Sequence, residues 1–212
     1  MTDGIVRGED GLGRCYWADS APEYRDYHDR EWGFPVADDI RLFEKLSLEG
    51  FQAGLSWLTI LRKREDFRRV FLGFDFEAVA RFGQRDVARL LGDASIIRHR
   101  GKIEAVINNA GRAVELVESE GSLAAYVWRF EPSRRPRRVD RGDVAAETPE
   151  SRALAKDLKR RGWRFVGPTT VYAFMQAMGL VNDHLSGCAA RAEAGRARKE
   201  FRVPVRAGGR SR

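Results

Sequence analysis

Residues 102–119 read KIEAVINNAGRAVELVES, and their apolar side chains fall on one stripe. Ile103, Val106, Ile107, Ala110, Val114 and Val117 recur at steps of three and four, the period of a helix with one face in a core. The same period returns on either side. Asp38 and Asp39 stand where a helix cap belongs, ahead of Ile40, Leu42, Phe43 and Leu46. Ile60, Leu61, Phe67, Val70 and Phe71 continue helical spacing. Asp75 is placed to cap a short helix carrying Phe76, Val79 and Ala80, and residues 86–91 form another. Leu154 and Leu158 mark a later amphipathic helix. Pro168 suits a first helical turn and opens a helix through Met178 that Gly179 stops. Sustained period-two alternation is absent. The expected fold class is therefore all-α, in one domain, with no internal repeat.

Charge divides the chain. Of 212 residues, 43% are hydrophobic and the net charge is +7. Between Arg191 and Arg212 lie eight Arg or Lys against two Glu, so the remaining 190 residues carry 30 positive and 29 negative charges. The basic balance belongs to a tail, and any anion-binding site in the body must come from local clusters. The division expected is a loose N-terminal extension (1–12), a helical domain (13–190) and a basic, disordered tail (191–212). Residues 132–148 hold five arginines, two prolines and no apolar stripe, which reads as a long basic loop. With no signal peptide and no apolar run of membrane length, the expected setting is a reducing cytosol.

Cysteine and histidine are scarce. The two cysteines, Cys15 and Cys188, each lie near a histidine: His28 follows Cys15 by thirteen positions, and His184 precedes Cys188 by four. His99 stands apart. Two thiolates and two imidazoles make a tetrahedral zinc set, and His184 and Cys188 would share a helix face. Four protein ligands leave no position for catalytic water, so such a site is structural. Two other readings stand beside it. Free cysteine also behaves as a small buried hydrophobe, and a disulfide is the third possibility, disfavoured in a reducing compartment.

Three further segments carry chemistry. In IIRHRGK (96–102) a glycine follows basic residues between two helices, so backbone amides and Arg98, Arg100 and Lys102 can meet a phosphate; an ordinary basic turn reads the same way. In LEGFQAGLSW (48–57), Glu49 sits among Leu48, Phe51, Leu55 and Trp57, a costly setting for a carboxylate without a partner. A helix-end glutamate open to solvent is the alternative. In YRDYHDREWG (24–33), Tyr24, Tyr27 and Trp32 surround His28, near Trp17; such aromatics form either a core or a base-stacking pocket.

Together with WRFVGPTTVYAFMQAMGLVNDH (163–184), the segments CYW (15–17), YHDREWG (27–33), LEGFQAGLSW, IIRHRGKI (96–103) and VNDH with Cys188 closely resemble the 3-methyladenine DNA glycosylase I family, over residues 14–188. The resemblance implies a helix-hairpin-helix DNA glycosylase fold whose two ends are joined by a zinc clasp of Cys15, His28, His184 and Cys188. It implies a base pocket of Trp17, Tyr24, Tyr27, Trp32, Glu49 and Trp57. In it Tyr27 and Glu49 hydrogen-bond the excised base and Trp57 stacks on it. Gly54 and Leu55 resemble the plug that fills the gap in the duplex, and Arg98, His99, Arg100, Gly101 and Lys102 the phosphate-gripping hairpin.

The activity implied is hydrolytic excision of 3-methyladenine from alkylated double-stranded DNA by a monomer in a bacterial-type cytosol. No lysine stands out as a Schiff-base nucleophile, so no strand cleavage is expected. Two rivals remain. A zinc deaminase needs His-x-Glu and Pro-Cys-x-x-Cys, but His28 is followed by Asp29 and Arg30. A noncatalytic helix-hairpin-helix DNA-binding module with structural zinc would leave the aromatics around Glu49 without a role.

Overall fold

Helices begin where a side chain satisfies the first free backbone amides, and that rule sets most boundaries here. The computed structural model describes residues 4–133 and 139–205. A two-stranded antiparallel hairpin, β1 (Ile5–Arg7) and β2 (Gly13–Cys15), leads into α1 (Pro22–Arg30), α2 (Asp39–Gln52), α3 (Trp57–Arg62) and α4 (Arg64–Val70). The chain continues through α5 (Phe76–Val79), α6 (Gln84–Gly92), α7 (Arg100–Glu120) and α8 (Leu123–Val127), then α9 (Pro149–Arg160), α10 (Pro168–Ala177) and α11 (Ala189–Glu200). No helix among the described residues is long and apolar enough to cross a membrane.

Asp38 starts α2 by accepting from the Arg41 amide at 2.8 Å, and Asp75 accepts from Glu77 and Ala78 at the start of α5. Asp39 serves another element. Its carboxylate accepts from the amides of Leu123 and Ala124 at 3.0 and 2.8 Å, so the first turn of α2 caps α8. Ile40, about 100° further round the helix, is 41% exposed and leaves the expected apolar stripe. Leu42, Phe43, Leu46 and Phe51 are buried, and α2 packs on α3, α7, α8 and α10. Ile103, Val106 and Ala110 of α7 are buried in the same core. Burying each larger side chain contributes about 1.5–3 kcal/mol, which fixes α2 at the centre of the molecule.

Both chain ends differ from expectation. Residues 5–7 are a strand, with Ile5 paired to Cys15 and packed beside Val139, Leu185 and Cys188. Strands of three residues are too short to show a period in sequence. At the other end the chain is helical to Glu200, where Ala190 and Ala194 are buried and Arg198 pairs with Glu131. Alanines four apart form a real but weakly hydrophobic face, so the segment reads as polar. Residues 206–212 of the tail, residues 1–3 and Arg134–Arg138 of the basic loop lie outside the described residues.

The double cap makes a test of this packing. Asp39→Ala is expected to lower unfolding free energy by about 1–2 kcal/mol in urea titrations, and Ile40→Ala by less than about 0.5 kcal/mol. The reverse ranking contradicts the placement of this turn.

Candidate functional site

The four residues singled out by arithmetic converge. Cys15 ends β2, His28 lies in α1, and His184 and Cys188 precede α11. All four are buried, and their ligand atoms lie within 4.8 Å of one another. A tetrahedral ion with bonds of about 2.05 Å to nitrogen and about 2.3 Å to sulfur requires an N···N edge of about 3.3 Å and N···S edges of about 3.6 Å. Here His28 Nε2 and His184 Nδ1 are 3.2 Å apart, and Cys188 Sγ lies 3.4 and 3.6 Å from them. The donor set fits a metal, and both cysteines are free thiols, which removes the disulfide reading.

Surrounding groups orient the donors. Asp29 Oδ1 lies 2.7 Å from His28 Nδ1, and the Trp32 carbonyl lies 2.8 Å from His184 Nε2. An N–H on each of those atoms leaves the other ring nitrogen facing the sulfurs. Arg14 grips Asp29 at 2.9 Å. The neighbouring Cys15 thiol and the His184 and His28 rings hold Cys188 well below the ordinary thiol range. The nearby Cys188 sulfur and burial push Cys15 well above it. Gly33, at φ +85°, lets the chain pass His184; a Cβ there would sit 3.0 Å from the ring.

A relay of rings leads from this cluster. Trp32 meets His184 edge-on at 4.7 Å between centroids and Trp17 at 5.2 Å. Trp17 meets Tyr24 at 5.5 Å and Tyr27 at 6.4 Å, and Tyr27 meets Trp57 at 5.5 Å. Trp17, Tyr24 and Trp32 thus back a slot whose walls include Tyr27, Glu31, Lys45, Trp57 and Arg64.

Glu49 is buried, 5% exposed, so the solvent-facing alternative falls. Its partner is a residue that sequence reasoning missed. Lys45, one turn earlier on α2, donates from Nζ to Glu49 Oε1 at 2.8 Å and to the Tyr27 hydroxyl at 2.7 Å. The ammonium lies 3.2 Å from the centroid of the Trp57 ring. Burial pushes Lys45 down to about 8, against the pull of Glu49. Burial, with the charges of Glu49 and Glu31, pushes the Tyr27 phenol well above its ordinary range. Trp57 Nε1 is buried without a hydrogen-bond partner. Glu31 stands at the rim, held by Arg64 at 2.7 and 3.0 Å. A lysine and glutamate at i and i+4 usually mean an exposed helix pair; only the apolar neighbours of Glu49 hinted at burial.

A second cluster joins three loops. Residues 93–99 connect α6 to α7, and Arg98, His99 and Arg100 are exposed there. His99 caps α7 by accepting from the Lys102 amide at 3.2 Å. Lys102 departs from expectation. It is 7% exposed and donates to the carbonyls of Phe51 and Ala53 at 2.9 and 2.6 Å. Its charge therefore caps the C-terminus of α2 and does not face a phosphate. Ala53 (φ −49°, ψ 115°) and Gly54 (φ +81°) then make a type II turn closed by Leu55 N on Gln52 O, which leaves Leu55 41% exposed. Phe165, at φ +55° and also 41% exposed, flanks His99 at 6.3 Å. The Asn109 side chain bonds both backbone groups of Arg164 and holds that loop. A larger cleft of about 740 Å³, between α9, α10 and α11, contains none of the site residues named from sequence.

Comparisons with known proteins agree on one family. A sequence model described as methyladenine glycosylase matches residues 17–192. DNA-3-methyladenine glycosylase 1 of Escherichia coli (strain K12) is 47% identical over 178 residues, 82% of this chain and 95% of its own. The enzyme of Haemophilus influenzae is 44% identical over 82% of this chain and 96% of its own. A crystal structure of 3-methyladenine DNA glycosylase I matches with a TM-score of 0.79 at 47% identity, covering 83% of this chain and 98% of that one. The Staphylococcus aureus structure describing 3-methyladenine recognition matches with a TM-score of 0.80 at 36% identity, covering 84% and 96%.

The cluster's dimensions generate a metal test. Protein purified without chelator is expected to hold about one divalent metal per chain by elemental analysis. Cys188→Ala is expected to lose most of that metal and to melt several degrees lower. An unchanged melting temperature with no metal in either protein contradicts the clasp.

Proposed function

The chain belongs to the methyladenine glycosylase family, and from that premise we propose that it excises 3-methyladenine from alkylated duplex DNA by hydrolysis, leaving an abasic site. One observation carries the reading: a buried carboxylate, Glu49, is ion-paired to Lys45, whose ammonium also meets the Tyr27 hydroxyl and the Trp57 ring, the two aromatic walls of the slot. That combination suits a flat, positively charged base. Methylation at the adenine ring leaves the nucleotide cationic, so electron-rich faces attract it and a carboxylate accepts from its exocyclic amine. Tyr27 supplies a second polar contact, Trp57 the stacking face.

Reaching the slot requires the nucleotide to turn out of the helix, at a cost of a few kcal/mol. The exposed Gly54–Leu55 turn suits the gap left behind. Residues 84–120 supply a helix-hairpin-helix motif in which Arg98, His99, Arg100 and the Gly101 backbone meet phosphates, with Lys102 fixing the plug from below. In the chemical step the N9–C1′ bond breaks and its electron pair passes to the base, cancelling the charge. Water forms the new C1′–O bond and releases a proton to solvent. Water is the attacking group in this reading, with Lys45 engaged in its ion pair with Glu49.

The metal is assigned as zinc, which two thiolates and two imidazoles suit. When bound it supplies a structural brace: Cys15, His28, His184 and Cys188 hold the strand that leads into Trp17 and the helix that carries Tyr27. The noncatalytic DNA-binding reading leaves the buried Lys45–Glu49 pair without purpose.

Under single-turnover conditions Glu49→Gln is expected to slow base release from methylated duplex at least about 100-fold while duplex affinity changes less than about threefold. Full-rate release by that variant contradicts the role of Glu49. At pH 7, borohydride is expected to trap no covalent protein–DNA complex. A trapped complex that disappears in Lys45→Met would make Lys45 a nucleophile.

A further inference from the structure

Lys45 stands where the base is expected. Its ammonium meets the Glu49 carboxylate at 2.8 Å, the Tyr27 hydroxyl at 2.7 Å and the Trp57 face at 3.2 Å. These are the three side chains assigned to the base. With Lys45 in place the slot retains a cavity of only about 10 Å³, roughly the room of one water molecule. The site is deep in the protein, since the Lys45 and Glu49 side chains are 7% and 5% exposed. A purine therefore cannot enter while the ammonium stays.

We propose that Lys45 is a specificity filter: its ammonium occupies the base site in the free enzyme, and a base bringing its own positive charge takes over its place beside Glu49 and Trp57 far more readily than a neutral one. This rests on the assignment of the slot to 3-methyladenine. A neutral adenine that displaced Lys45 would leave Glu49 without a counter-charge and exchange a cation–π interaction for neutral stacking, both unfavourable in a desolvated site. A cationic methylated adenine replaces charge with charge. After cleavage the base is neutral, so the ammonium returns to Glu49 and the product is expelled. Lys45 has a flexible four-carbon stem, and Glu31, on the same slot nearer the rim, draws it outward.

The groups facing the ammonium are Glu49, Glu44 and Arg41 on α2, Glu31 after α1 and Arg64 on α4, with Tyr27 and Trp57 as uncharged neighbours. Deprotonation removes the ion pair with Glu49, so a neutral base meets less competition as pH rises through about 8. Affinity for the free base should therefore increase over that range in the native protein and stay level in a variant without the amine.

The test uses intact protein and free 3-methyladenine, with binding read from tryptophan fluorescence. Lys45→Met and Lys45→Gln, checked for native circular dichroism, are each expected to bind the base about tenfold more tightly than the native chain at pH 7.5, or about 1.4 kcal/mol. In the native chain, acylation of Lys45 followed by mass spectrometry is expected to be slow alone and several-fold faster with saturating base. Equal or weaker binding by both variants, or a Lys45 that stays protected when the base is bound, overturns the filter. A native chain that releases no base from methylated duplex overturns instead the functional assignment on which the filter rests.

Discussion

Four side chains from opposite ends of the chain meet at one point, and the shape of the candidate base site depends on that meeting. The segment bearing Trp17 and Tyr27 lies before the first core helix. Left to itself, a helix as short as α1 has little stability in water. The meeting of Cys15 and His28 with His184 and Cys188 sets α1 beside α11, and Trp32 carries the constraint from the His184 ring to Trp17. Structural metal sites supply on the order of 10 kcal/mol, and these four donors are placed to hold such an ion.

The other wall comes from the core. Helix α2 is buried from Leu42 to Phe51 and carries Lys45 into the slot, with Glu49 paired to it. Both charges are tolerated because each answers the other at 2.8 Å, and breaking such a buried pair is strongly unfavourable. The same helix ends under Lys102, whose ammonium takes the carbonyls of Phe51 and Ala53 and sets the direction of the Gly54–Leu55 turn. One helix thus connects the charge inside the slot to the loop facing outward. The α7 hairpin and the exposed turn are coupled through a single lysine.

Much of this was legible from residue types. Rarity pointed to Cys15, His28, His184 and Cys188, and the apolar company of Glu49 pointed to a buried carboxylate. The helix period located α2, α7 and α10 because their faces bury large side chains. Where burial depends on small side chains or distant partners, the signal failed. Ala190 and Ala194 hide a helix face in a segment that looks only basic. Lys102 sits in a run of cations and reads as one of them, since its carbonyl partners are about fifty residues away. Lys45 looks like half of an exposed helical pair, and only the aromatic lid of Tyr27 and Trp57 makes it part of a site. The β1–β2 hairpin is too short for any periodic trace.

The slot, its charges and the exposed turn all serve one end, the identity of the base that is released. Chromatography of the bases released from methylated duplex DNA by the native, metal-loaded chain tests it most directly. Free 3-methyladenine is expected as the principal product, appearing with an equal number of alkali-sensitive abasic sites and no release of undamaged adenine. Duplex binding with no base released, or release of unmodified adenine at a comparable rate, contradicts it.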